Sequence, residues 1–110
     1  MGAVSQGSAG GIPGLNLKAW AFVRADGTLI RGMNIASVAK GVAGTYTANF
    51  TAAMAGTDYV VRFTGAIMNG PQTLGFLSSR AVGAAGLRTQ YVSAASNVDA
   101  DATGLWEFYE

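Results

Sequence analysis

The stretch Thr45-Tyr46-Thr47-Ala48-Asn49-Phe50-Thr51 decides the fold class, because its residues alternate between polar and apolar. Tyr46, Ala48 and Phe50 share one face of an extended chain, and the intervening Thr and Asn residues share the other. An alternation with a period of two is typical of a β-strand that buries one face. The stretch therefore predicts a strand whose aromatic face contributes to a hydrophobic core.

The next run of this kind is Asp58-Tyr59-Val60-Val61-Arg62-Phe63-Thr64. We expect Tyr59, Val61 and Phe63 to point inward and Asp58, at the start of the strand, to bond nearby backbone amides. Residues 52–57 break the alternation and include a glycine, which indicates a short connection. The two runs are therefore predicted to be adjacent antiparallel strands.

Other β-prone runs lie on both sides of this pair. Further strands are expected at 17–24, 29–31, 33–38, 73–80 (interrupted at Gly75), 87–94 and 105–110, with loops at 65–72, 81–86 and 97–104. The segment 25–28 is typical of a hairpin turn, and only 36–40 and 52–55 offer helical turns. About seven short strands at intervals of about eight to twelve residues predict an all-β chain. The expected architecture is an antiparallel β-sandwich, jelly-roll-like or Greek-key.

The chain divides into an arm and a domain. Residues 1–16 are uncharged and rich in Gly and Ser, which disfavours a regular element, whereas residues 17–110 carry all of the strand pattern. The arm is either a flexible tail or an attachment segment, and we expect the second. Residues 1–14 lack the basic and apolar regions of a signal peptide, so nothing in the sequence predicts secretion.

Composition limits the classes of partner. Half of the 110 residues are hydrophobic and only 12% are charged, which excludes disorder driven by charge repulsion. The 7 Lys and Arg residues are scattered singly, so we expect no nucleic-acid partner, and no apolar run approaches the roughly 18 residues of a membrane span. With 16 glycines and few bulky side chains, the chain is expected to have part of its surface covered by another chain, in a homo-oligomer.

Side chains suited to catalysis are scarce. The chain has no His and no Cys, so we expect no catalytic residue, no cofactor and no metal. Asp99 and Asp101 form a close carboxylate pair that could hold a hard cation or half of a glycosidase site, but a solvated loop is the favoured interpretation. Asp26, beside a turn glycine, is expected to bond local backbone amides. The glycosylation pattern at residues 49–51 is explained more simply by strand alternation.

The aromatic residues near the two ends of the domain have two interpretations. Trp20 and Phe22 share a strand face with Lys18 and Arg24. The favoured hypothesis is that they supply core bulk, and the functional alternative is a platform for stacking sugar rings or a seam between subunits.

The final run, residues 105–110, is apolar on both faces. Trp106 and Phe108 are expected in the core, and they point opposite to Leu105 and Tyr109. We expect the second sheet to cover one face of this strand and a partner chain to cover the other.

An ordered string of short motifs resembles a family of phage tail-fibre and virion domains. It comprises Leu17-Lys18-Ala19-Trp20-Ala21-Phe22, Asp26-Gly27-Thr28, Ile30-Arg31, Asn34-Ile35-Ala36-Ser37-Val38, Gly44-Thr45-Tyr46-Thr47-Ala48-Asn49-Phe50-Thr51, Ala53-Met54 and Asp58-Tyr59. The match spans about residues 17–64, and the chain departs from the family in having Ala55 where Pro is common and a longer, Gly-rich second half.

The resemblance implies a β-sandwich knob, usually trimeric, with receptor contacts in variable loops and no catalytic residues. We therefore expect a non-enzymatic structural protein of a bacteriophage virion, a short tail fibre or a capsid decoration protein. Its partners would be capsid or tail proteins, engaged through the arm. The alternative is a carbohydrate-binding module that recognises a host surface glycan through loops 65–72, 81–86 and 97–104.

Overall fold

The computed structural model describes residues 14–65, 73–91 and 104–110. Eight strands make up the fold, where about seven were predicted: β1 (Leu17–Val23), β2 (Leu29–Met33), β3 (Ile35–Lys40), β4 (Thr45–Phe50), β5 (Val60–Gly65), β6 (Thr73–Arg80), β7 (Ala84–Tyr91) and β8 (Gly104–Tyr109). Neither predicted helical turn forms, since 36–40 lies in β3 and 52–55 is an irregular bend. The all-β class is confirmed.

The strands form two four-stranded antiparallel sheets that pack as a β-sandwich. Sheet A has the order β2-β1-β8-β5, and sheet B has the order β3-β4-β7-β6. The prediction that β4 and β5 are neighbours is wrong, because the connection between them carries the chain from sheet B to sheet A. β4 pairs instead with β3 and β7, and β5 pairs with β8.

The hairpin of β1 and β2 forms as predicted. Asp26 Oδ1 accepts a 2.9 Å hydrogen bond from the amide of Thr28, and Gly27 takes a φ of 91°. Only glycine adopts such a φ without steric cost. The hydrogen bonds from Thr28, first from its side chain, lower the pKa of Asp26, which therefore has the local turn role expected of it.

Aromatic rings from both sheets fill the space between them. Tyr46, Ala48 and Phe50 of β4 are buried as predicted, and so are Trp106 and Phe108 of β8. The Phe50 ring meets those of Tyr59 and Phe108 edge-on, with centroids 5.7 and 5.3 Å apart. The edge-to-face arrangement of aromatic pairs adds to the free energy gained from burial alone.

Tyr59 ties the β4–β5 connection to sheet B. Its ring is fully buried, and its single hydroxyl proton is shared between the carbonyls of Ala81 (2.8 Å) and Ala84 (3.0 Å). Arg80 Nη1 donates to the Tyr59 carbonyl at 3.1 Å. The start of β5 is thereby held against the β6–β7 turn.

Asn34 is the single residue that connects β2 of sheet A to β3 of sheet B. Its φ of 58° lies in the left-handed region, which Asn tolerates better than most residues. The side-chain amide donates to the carbonyls of Lys18 and Ala52, and its oxygen accepts a 2.7 Å bond from the Ala52 amide. The turn from β2 into β3 is therefore fastened to β1 of sheet A and to the connection that follows β4.

In the second half of the chain, the strand boundaries differ from those predicted. Gly75 does not interrupt β6, and residues 84–86 of the predicted 81–86 loop belong to β7. The Phe63 ring lies directly over Gly75 and Gly104, where a Cβ atom would collide with it. These two glycines let β5, β6 and β8 approach one another where the sheets meet.

Candidate functional site

The outer face of sheet A carries the aromatic side chains that were predicted for the core. In β1, Ala19, Ala21 and Val23 point inward and are buried, whereas Trp20 and Phe22 point outward and are only partly covered. The core hypothesis for Trp20 and Phe22 is therefore wrong. Rings from β4, β8 and Tyr59 already fill the interior, which leaves room only for small residues from β1.

The register of sheet A places the outward side chains in two rows. One row runs Arg31–Phe22–Leu105–Thr64 from β2 to β5, and the next runs Met33–Trp20–Glu107–Arg62. Side chains directly opposite on neighbouring strands are about 5 Å apart at Cβ and therefore touch. Each aromatic ring thus has an apolar neighbour on one side and a charged one on the other.

A shallow open pocket of about 370 Å³ lies where these two rows meet. It is lined by Trp20, Phe22, Arg31 and Leu105. Its volume falls within the range of about 300–1,000 Å³ that is usual for small-molecule sites. The lining is apolar apart from the single guanidinium at one end.

The carboxylate of Glu107, which lies beside Trp20, already has hydrogen-bond partners within the chain. Glu107 Oε1 accepts a 2.9 Å hydrogen bond from Arg62 Nε, and its Oε2 faces the Tyr109 hydroxyl at 3.4 Å. Arg62 Nη2 also donates to the Tyr109 hydroxyl at 3.0 Å, with its guanidinium 5.4 Å from the Tyr109 ring. These three residues form a connected network, which we call the Arg62 network.

Two pKa values reflect the Arg62 network. The hydrogen bond to Glu107 raises the pKa of the Arg62 guanidinium. Burial, followed by the charge of Glu107, raises the pKa of the Tyr109 hydroxyl. Both groups therefore keep their protons at neutral pH, and the negative charge of Glu107 remains matched by Arg62.

Arg31 stands apart from this network. It lies on the edge strand β2, is exposed, and forms no ion pair among the described residues. Its cross-strand neighbour is Phe22, and its side chain is part of the pocket lining. An uncompensated cation beside two aromatic rings attracts an anion, and the rings suit an apolar or ring-shaped group.

The outer face of sheet B is different in chemistry. Its centre is formed by small and polar residues (Ser37, Ala39, Thr47, Asn49 and Gly86), and Leu74 on the edge strand β6 is half exposed. Phe76 lies opposite Arg88 toward one edge. The two aromatic rings and the pocket thus belong to sheet A, which makes its outer face the candidate binding surface.

Asp99 and Asp101 lie outside the described residues, as do residues 1–13 of the arm and most of the predicted loops 65–72 and 97–104. Among the residues that are described, no three His, Cys, Asp or Glu side chains are placed to hold a metal ion. Asn49 lies within β4, where its amide donates to Ser37 Oγ at 3.1 Å.

The sequence of β1 leaves open which of its two faces is buried. A strand with Ala-x-Ala on one face and Trp-x-Phe on the other is apolar on both, so alternation cannot say which face is buried. The small face of β1 is the inner one because the bulk of the core comes from other strands. Tyr109, on the outer face of β8, is also buried, whereas Leu105 and Glu107 on the same face are only partly covered.

The chain matches no protein-family model, no curated protein and no solved structure. In the described part of the chain, no helix has the length and apolar character to cross a lipid bilayer.

Proposed function

We propose that the chain is a non-enzymatic structural protein of a bacteriophage virion, a short tail fibre or a capsid decoration protein. In this proposal residues 1–16 attach it to capsid or tail proteins, and the β-sandwich is displayed as a homotrimeric knob. The observation that carries the display role is the outward-facing, partly exposed pair Trp20 and Phe22 on the outer face of sheet A. Aromatic side chains on an exposed sheet face suit binding and assembly.

The attachment step can be tested by deleting residues 2–14 in the phage that encodes the chain. The deletion ends before Asn16, whose backbone pairs with that of Glu110 at 3.1 and 3.0 Å, so this pairing is kept in the shortened chain. We expect the shortened chain to remain folded by circular dichroism and to be absent from purified particles. Normal incorporation would contradict attachment through the arm.

The trimer is tested separately on the purified full chain. We expect light scattering at micromolar concentration to give the mass of three chains. A monomeric mass at that concentration would overturn the trimer and leave the attachment test unaffected.

A second candidate function is recognition of a host surface glycan. It is favoured by the pocket between Trp20, Phe22, Arg31 and Leu105, which has the size of a ligand site and aromatic walls. This proposal follows the stacking-platform alternative given for Trp20 and Phe22, and it places the glycan on a sheet face instead of loops 65–72, 81–86 and 97–104. A displayed knob can carry both functions.

A further inference from the structure

We propose that the outer face of sheet A binds an acidic saccharide, a pyranose ring that carries a carboxylate. Trp20 and Phe22 stack on the ring, and Arg31 pairs with the carboxylate. The inference rests on the proposed glycan recognition and names its ligand class and the residues that would select it.

The ring contact follows from the placement of the two aromatic side chains. Trp20 and Phe22 are two positions apart on β1 and share its outer face, so their Cα atoms are about 7 Å apart. The face of an aromatic ring is electron-rich, and it attracts the weakly positive C–H groups on the flat side of a sugar ring. Because both residues lie within a strand paired on both sides, the platform exists before any ligand binds.

The preference for a sugar that carries a carboxylate follows from the charges on the same face. Glu107 is matched by Arg62, whereas Arg31 has no ion-pair partner among the described residues. A guanidinium forms two parallel hydrogen bonds with a carboxylate in which both partners are charged, whereas the hydroxyls of a neutral sugar offer only uncharged acceptors. The pocket therefore favours an acidic sugar over its uncharged counterpart.

The same charges disfavour a second copy of the chain as the occupant. Packing this face against a second copy would remove the Arg31 guanidinium from water, and Glu107 on the same face is already paired with Arg62. Burying a charge without a partner costs binding free energy. The partner is therefore expected to be anionic.

The test uses an array of glycans that end in uronic or sialic acids, each printed beside its carboxyl-reduced counterpart, with the full chain as the probe. We expect at least one acidic glycan to bind and its reduced counterpart to bind about tenfold more weakly or worse, since a charged hydrogen-bonded pair is lost. Trp20→Ala and Arg31→Gln should each weaken binding by about tenfold or more. The matched control is Arg88→Gln, which alters an exposed arginine beside Phe76 on the outer face of sheet B and should leave binding unchanged.

Each other result overturns the inference. Equal binding of acidic and reduced glycans would remove the role of Arg31, and loss of binding in Arg88→Gln alone would move the site to sheet B. No binding to any acidic glycan would reject the saccharide. In that case incorporation into particles and trimer formation, measured independently, would still decide the proposed structural function.

Discussion

Arg62 Nε donates a 2.9 Å hydrogen bond to Glu107 Oε1 on the neighbouring strand, directly beside Trp20 in the sheet A register. The side chain of Arg62 is 41% exposed and that of Glu107 16%, so the pair contributes little to the free energy of unfolding. Its larger effect is on the surface charge, because it neutralises the carboxylate nearest the aromatic rings. The positive charge of Arg31 is then left to act on a ligand.

The two tryptophans provide a matched test of which face of sheet A is buried. Trp106 is almost completely buried, so Trp106→Ala should lower the free energy of unfolding by about 3–5 kcal/mol. Trp20 points outward, and Trp20→Ala should cost about 1 kcal/mol or less. Urea denaturation of both variants measures the difference. A loss of similar size in both would mean that Trp20 belongs to the core.

The close approach of the sheets at Phe63 predicts a strict requirement for glycine. A Cβ at position 104 would lie 2.7 Å from the Phe63 Cζ atom and from the Thr64 carbonyl oxygen. Gly104→Ala should therefore lower the free energy of unfolding by about 1–3 kcal/mol. Gly83→Ala is the control, since nothing lies within 4 Å of its added Cβ. Thermal denaturation in which both variants melt together would refute the packing.

Asn34 combines a left-handed backbone conformation with side-chain hydrogen bonds. Two substitutions separate the contributions of these two features to stability. Asn34→Gly keeps the φ of 58° without strain but loses the hydrogen bonds to Lys18 and Ala52. Asn34→Ala loses the same bonds and adds about 1 kcal/mol of backbone strain. We expect the Ala variant to unfold at the lower urea concentration. The reverse order would show that the turn from β2 into β3 does not depend on the left-handed conformation.

Tyr59 makes stability sensitive to alkaline pH. Burial raises the pKa of its hydroxyl, so the folded chain holds this proton at pH values where the unfolded chain has released it. The stabilisation is therefore complete below the unfolded pKa of about 10 and is lost as pH rises through the folded value. The free energy of unfolding should fall above about pH 10.

Tyr59→Phe is the control for this effect. It should be less stable at pH 7, because hydrogen bonds to Ala81 and Ala84 are lost, but its decline above about pH 10 should be shallower. Tyr109, whose pKa is also raised, accounts for part of the remaining slope. An unchanged slope in the variant would show that Tyr59 does not cause the decline.

Local pattern was sufficient for the fold class and for several core positions. The alternation in residues 45–51 identified the inward side chains of β4, and the hairpin turn at Asp26 and Gly27 was recognised from its residue types. Local sequence pattern does not predict which strands pair with one another. β4 joins β7, more than thirty residues later in the chain, because two sheets must cover one core, and the short 51–59 connection gives no sign that it crosses between sheets.

Local sequence pattern likewise does not predict that Trp20 and Phe22 of the candidate site point outward. Two aromatic residues on β1 looked like core because core is the commonest use of such side chains. Which face of β1 is inner depends on the volume contributed by distant residues such as Tyr59 and Phe108. Arg31 gains its significance from the pairing of Glu107 with Arg62, which no local pattern predicts.

The most direct test of the sheet A surface is a ¹H–¹⁵N NMR titration of the full chain with the acidic glycan that binds best on the array. We expect the largest shift changes at the amides of Trp20, Phe22, Arg31 and Leu105 and at the Trp20 indole, with the outer face of sheet B unchanged. The largest changes at Thr47, Gly86 or Arg88 would contradict this assignment of the binding surface.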